Sequence, residues 1–398
     1  MKPKYILITI LLVLLLIVPV FLYYGFLAGT PAKGEPSGIF VGVDVAYDNV
    51  TEIKMLVDEI SPYTNTIVIG STGITHDMAK LDDICQYVYD RSFYFMIYAH
   101  PINDPDALVI QREWVLDAKP RWGDHFLGLY AFDEPGGRQL DNASYKVVHD
   151  DEWFADNYDN YTEAADKYVN TAFVKLHHLI EDQMGGIDLP LFTSDYALYW
   201  FDYKASYDVV FAEFAWNISR HINVALCRGA ANIQNRDWGV MITWTYTPPP
   251  NRLTYLESGE ELYTDLALAY ENGAKYILVF DTNENYTHST LQPGHLDALK
   301  RFWRYATDNP RPSEPSGDRV AYVLPKDYAY GFRRPDDKIW GLWDADDYND
   351  SFKINKEVGS LIRKYQNRLD IIYDDGLEPN NSYGYSELFF WNGTVLVP

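Results

Sequence analysis

The chain has 398 residues, 47% of them hydrophobic, which is enough for one large domain and a small one with ample core and excludes a disordered protein. Its formal net charge of -24 argues against nucleic acid or an anionic lipid surface as partner, because like charges repel along the whole approach. A neutral or cationic ligand suits that balance.

Residues 5–26 are an almost unbroken run of Ile, Leu, Val and aromatics. At about 1.5 Å per residue they cover the roughly 30 Å hydrocarbon core. Lys2 and Lys4 precede the run, so the positive-inside rule keeps the N-terminus in the cytoplasm and exports the rest of the chain. Residues 1–29 therefore read as a signal anchor in the cell membrane. A cleaved signal peptide ending near Ala28 and Gly29, giving a secreted protein, is the alternative, although its apolar region is usually shorter. Asn-x-Ser/Thr sequons at Asn49, Asn142, Asn160, Asn217, Asn285, Asn349, Asn380 and Asn392 all lie beyond this segment. An Asn- and Thr-rich chain makes some by chance, but their one-sided placement agrees with an exported glycoprotein. Residues 30–37 form a Pro/Gly-rich polar linker.

Apolar runs with the length of buried parallel strands then appear at 39–44, 66–70, 93–99, 126–134, 189–194, 208–214, 239–244 and 276–281. The intervening segments, such as 161–184 and 260–272, carry apolar residues three and four apart. The simplest architecture is a (β/α)8 TIM barrel over residues 38–310. Cys85 and Cys227 fall in predicted helices far apart in barrel order, so the core rather than a crosslink must hold the fold. A segment at 309–317 with three prolines marks a boundary. Residues 318–398 then read as a small α/β or β-rich module, with strands at 319–325, 369–373 and 387–391 and a helix at 355–366.

Chemistry in such a barrel sits at the C-terminal strand ends. The fourth run stops on Asp133, Glu134, Pro135 and two glycines, and period-two alternation puts Tyr130 and Glu134 on one face and Asp133 on the other. A solvated loop acid beside a turn cap is the plain alternative. Asp44, Asp195, Glu213 and Asp281 end other runs. Singly each suits a cap; together they make a negative pocket in which repulsion and burial raise some pKa values, leaving one carboxyl protonated and another ionised. Tyr98, Tyr130, Tyr196, Trp200, Trp216, Trp244 and Tyr246 crowd the same ends, and ring faces suit the apolar faces of sugars, although so aromatic a chain places rings everywhere. His100, after the third run, reads as a substrate contact or a loop histidine. No H-E-x-x-H, phosphate loop or nucleophile elbow occurs, so no cofactor or metal is implied.

With Asp133-Glu134-Pro135 after strand four, the chain resembles the extracytoplasmic TIM-barrel glycoside hydrolases over roughly residues 38–310. The resemblance implies that Glu134 is an acid/base. Families with acids after strands four and seven have Asn-Glu at the first place and Glu at the second. Here the first is Asp133-Glu134, and strand seven runs into Thr243, Trp244 and Thr245 without an acid. Other barrel glycosidases pair strand four with strand six, where Glu213 stands. The trailing module resembles their accessory domains.

The reading is a membrane-anchored, extracytoplasmic glycoside hydrolase acting on a polysaccharide or glycan. Glu134, Glu213 and Asp133 are its catalytic group, and Asp44, Asp195, Asp281, Tyr98, Tyr130, Trp244 and His100 meet the sugar. The expected spacing of Glu134 and Glu213 is about 5–5.5 Å, the retaining geometry. A non-catalytic carbohydrate-binding or structural surface protein is the alternative, and a metal-dependent carbohydrate deacetylase a third. Oligomeric state is not indicated.

Overall fold

The computed structural model describes residues 38–100, 105–140, 158, 160–215, 218–243, 245–246, 254–311, 319–329, 340, 350–375 and 383–397. The expected anchor, the linker, Trp216 and Trp244 lie outside the described residues. Among the described residues no helix is long and apolar enough to cross a membrane.

All eight expected runs form strands, and these close into a parallel barrel: β1 (Phe40–Val45), β2 (Thr66–Ile69), β3 (Tyr94–Ala99), β4 (Phe126–Ala131), β5 (Leu191–Asp195), β6 (Val209–Phe214), β7 (Asp237–Ile242) and β8 (Tyr276–Asp281). Neighbours in sequence pair with one another, and β8 returns to β1 with Phe40 opposite Tyr276. Alternation along each strand decides what fills the inside. Val68, Met96, Tyr130, Phe192, Phe211, Met241, Tyr276 and Leu278 pack the interior. Val41, Val43 and Val45 belong instead to the larger cluster that includes the surrounding helices. The barrel is thus plugged by side chains below its C-terminal rim.

The connecting helices are α1 (Val50–Ile60), α2 (Thr72–Thr75), α3 (Met78–Tyr89), α4 (Pro105–Trp122), α5 (Pro135–Leu140), α6 (Tyr161–His177), α7 (Tyr199–Lys204), α8 (Arg220–Gln234), α9 (Gly259–Glu271) and α10 (Pro293–Asp308). Their starts reflect capping chemistry. Asn49 accepts the Glu52 N–H at 3.2 Å, Asn160 accepts that of Glu163 at 2.9 Å, and Ser258 with Glu261 forms a capping box. On α1, Ile53, Val57 and Ile60 form the buried stripe. Cys85 on α3 and Cys227 on α8 are buried free thiols.

Beyond the barrel, β9 (Val320–Leu324), α11 (Asp350–Tyr365), β10 (Leu369–Tyr373), β11 (Glu387–Phe390) and β12 (Val395–Leu396) build a four-stranded sheet in the order β10-β9-β11-β12. The first three strands are parallel and the last antiparallel. This sheet packs directly on α8. Arg228 reaches Asp370 at 2.7 Å, Asn272 Oδ1 at 2.7 Å and the Leu369 carbonyl at 3.0 Å, and both charges of the ion pair are buried. Its backbone comes so close that a Cβ on Gly229 would lie 2.6 Å from the Ile371 carbonyl oxygen. Trp340 packs between Tyr168 of α6, tilted at 50° to it, and Phe201 of α7, which it meets edge-to-face at 82°. Sheet and barrel share one continuous hydrophobic cluster.

Candidate active site

The site begins with a backbone irregularity. After β4 ends at Ala131, Phe132 (φ 58°) and Glu134 (φ 49°) both take left-handed conformations, which non-glycine residues rarely adopt and which the residue before a proline adopts more rarely still. Period-two alternation therefore stops, which corrects the expected facing of Asp133. It lines the same cavity as Tyr130 and Glu134, while Phe132 packs into the core. Strained backbone of this kind persists only where neighbours over-determine it. Strand β5 does so: the Thr193 hydroxyl donates to the Phe132 carbonyl (3.0 Å), the Glu134 N–H donates to the Ser194 carbonyl (3.0 Å), and the Gly136 N–H donates to Asp195 Oδ2.

The cavity at the rim holds about 320 Å³. Four acids line it, Asp44, Asp133, Glu134 and Glu213, with Tyr98, Tyr130 and Ser194 between them. Thr243, Phe280 and Tyr286 complete its mouth. Ser194 is the hub: it lies 2.6 Å from Glu213 Oε1, 2.9 Å from Asp133 Oδ1 and 2.7 Å from the Tyr130 hydroxyl, which donates to Asp133 at 2.6 Å. Asn223 of α8 donates to the Glu213 carbonyl at 3.0 Å and fixes that strand end.

Burial pushes the Glu134 carboxyl up, with the Asp133 charge adding to it. Burial likewise pushes Glu213 well up, with the charges of Glu134 and Asp133 as the next causes. Each glutamate also hydrogen-bonds the other's side chain. Two carboxyls in such contact cannot both ionise cheaply, so they titrate as a unit that retains one proton. Asp44 is raised by burial first and then by Asp133 and Asp281.

Of the residues singled out in sequence, Glu134, Glu213, Asp133, Asp44, Tyr98 and Tyr130 meet in this cavity. Asp195 does not line it. Its carboxylate turns to backbone, accepting Tyr196 and Ala197 N–H groups at 2.7 and 3.0 Å besides Gly136, and burial raises it to about 6 against their pull. Asp281 likewise stands outside the lining, accepting the Thr290 N–H at 2.8 Å and so tying down the loop after β8. His100 is half-buried against Tyr98 and Phe132, beside the cavity rather than in its wall. Trp244 lies outside the described residues. Ser194, Thr243, Phe280 and Tyr286 carry no strand-terminal charge, and sequence reasoning missed them. Ser194 was findable as the inward residue of β5, one place before Asp195.

No protein-family model matches the chain, and no curated protein does. Among solved structures it is similar to the polyextremophilic β-galactosidase of the Antarctic haloarchaeon Halorubrum lacusprofundi, at 12% identity over 88% of this chain and 69% of that one, with a TM-score of 0.58. Two further neighbours are a modular endo-β-1,4-mannanase from Cellulomonas fimi (11% identity, 73% of this chain, 80% of that one, TM-score 0.43) and α-L-fucosidase isoenzyme 2 from Paenibacillus thiaminolyticus (10%, 88%, 59%, 0.46). The fold is one that glycoside hydrolases use. That agrees with the resemblance read from Asp133-Glu134-Pro135, and no family within the class is assigned.

Proposed function

We propose that this protein is a glycoside hydrolase of a polysaccharide or glycan. The observation that carries the reading is the contact of the Glu134 and Glu213 carboxyls in a rim cavity walled by carboxylates and tyrosines. In the free site the hydrogen bond between the two lowers Glu134 and raises Glu213, so the shared proton rests on Glu213 and passes along that bond to Glu134 as substrate binds, with the Ser194 hydroxyl then holding the ionised Glu213. Glu134 then protonates the leaving glycosidic oxygen as a Glu213 oxygen bonds to the anomeric carbon and the C–O bond breaks. In the second step Glu134 takes a proton from water, whose oxygen displaces Glu213. Carboxyls near enough to hydrogen-bond are closer than the expected spacing of about 5–5.5 Å and well short of the roughly 6.5–9.5 Å that an attacking water needs, which favours retention over inversion. Sugar release from a glycan panel is expected to fall about 10²-fold or more in both E134Q and E213Q. Full activity in E134Q, or a first-released anomer of inverted configuration by NMR, refutes the assignment.

The same proposal places the barrel outside a membrane anchored by residues 5–26. In its support, the sequon residues Asn49, Asn160, Asn285 and Asn392 are all exposed. Asn49 and Asn160 cap helices through Oδ1, so a glycan on Nδ2 is compatible with both caps. Mass spectrometry of the protein from its native membrane, before and after deglycosylation, tests this.

A further inference from the structure

We propose that the cavity takes a sugar bearing a protonated amine, an amino sugar with its nitrogen unacylated, and that Asp44 receives the ammonium. The sugar part rests on the glycosidase reading; the charge part rests on Asp44. This residue lies on the inner face of β1, is 2% exposed and lines the cavity. Its Oδ1 has no hydrogen-bond partner. Room for it is kept by Gly70, where a Cβ would lie 2.1 Å from that oxygen.

A buried carboxylate oxygen without a donor is costly unless a ligand supplies one. The other acids are provided for: Glu134 and Glu213 bond each other, and Asp133 accepts from Tyr130. Asp44 faces Asp133 and Asp281, charges of its own sign, and the phenols of Tyr98 and Tyr130. Among the described residues lining the cavity there is no Lys, Arg or His. Arg138, whose charge draws Glu134 down, stands outside the lining. A sugar hydroxyl gives Asp44 one hydrogen bond and leaves the repulsion in place. An ammonium gives up to three donors and the missing charge. N-acetylation removes that charge and turns a carbonyl acceptor toward carboxylate acceptors. A uronic acid adds a like charge.

The test is calorimetric titration of the full chain with glucosamine, galactosamine and mannosamine, each against its N-acetyl derivative and its neutral parent hexose. Monosaccharides have no glycosidic bond, so binding is read without turnover. At least one amine is expected to bind about tenfold or more tightly than both counterparts. D44N is expected to erase the difference. G70A, which pushes the carboxylate aside while keeping its charge in the chain, is expected to reduce it. Equal binding of amine and neutral sugar, no binding of any amine at about 10 mM, or an undiminished preference in D44N overturns the proposal. The wild-type comparison decides by itself where D44N does not fold. An amine preference in a protein that hydrolyses no glycan leaves this inference standing and removes the glycosidase reading. Hydrolysis with no amine preference does the reverse.

Discussion

Asp195 holds Gly136, two residues beyond Glu134, so tightly that a Cβ on the glycine would lie 2.7 Å from the carboxylate oxygen. The acid after strand five thus acts on the turn after strand four. Its carboxylate gathers three backbone N–H groups and leaves the substrate to others. Replacing Asp195 with alanine strands those donors in a buried place, at about 1–3 kcal/mol for each group left unsatisfied. The left-handed Glu134 then loses one of its restraints. We expect D195A to lower kcat by about tenfold to 10²-fold with KM nearly unchanged, because the carboxyl is displaced and the sugar contacts are not. An equal loss in KM, or no loss, contradicts a positioning role.

The glutamate pair makes stability depend on pH. Both native carboxyls sit above the ordinary glutamate value near 4.5, so the folded protein binds more protons than the unfolded chain once pH exceeds that value. Their contribution is full below it and is lost as pH climbs through the raised native range. E213Q removes one of the two raised groups. The fall in Tm between about pH 5 and pH 8 is therefore expected to be shallower in E213Q than in the wild type. Parallel curves count against the shared proton.

A second pH response comes from the rim near α8. Arg220 serves two acids, Glu257 at 2.6 Å and Asp265 at 2.9 Å, and burial with the Asp265 charge raises Glu257 to about 7. Stability from this group is complete below about 4.5 and gone above about 7. E257Q keeps a hydrogen-bonding side chain but cannot titrate, so its unfolding free energy is expected to lose that segment of the slope. Denaturant titrations across the window measure it.

Arg228 is expected to be the most sensitive residue of the sheet-to-barrel contact. R228A leaves the fully buried Asp370 with Arg319, at 4.0 Å, as its remaining cationic partner, which costs up to about 3–5 kcal/mol. Removing both charges at once, as R228M with D370N, should cost less than R228A alone. Because barrel and sheet share one core, wild-type unfolding is expected to show a single cooperative transition by both calorimetry and circular dichroism.

The strands were legible because a parallel strand buried on both faces leaves a contiguous apolar run bounded by polar turns. The acids at their ends were legible as residues, and the phase of each strand carries their directions. Phe192, Tyr276 and Leu278 face the barrel interior, so period two puts Ser194 and Phe280 inward and Asp195 and Asp281 outward, whereas Asp44 and Glu213 share the inward phase of Phe40 and Phe211. Backbone N–H groups then hold the two outward carboxylates in place. Alternation puts Asp133 on the wrong face because it presumes extended backbone, and the φ of Phe132 breaks it. Ser194 left no charge to notice, and its importance lies in bridging residues far apart in the chain. The trailing sheet was visible from its strands, but its shared core was not, because Arg228 and Asp370 are distant in sequence.

The proline-rich stretch at 309–317 invites a cut there, and the meeting of Gly229 with Ile371 says what such a cut would do. The helix that fixes the Glu213 strand end through Asn223 is the one on which β10 rests. A recombination that swapped the last eighty or so residues for another module would need to preserve a glycine, an arginine and the apolar sockets of Tyr168 and Phe201 together. Rim cavity and tail are therefore expected to be inherited as one piece, with homologous chains gaining or losing the two in a single step.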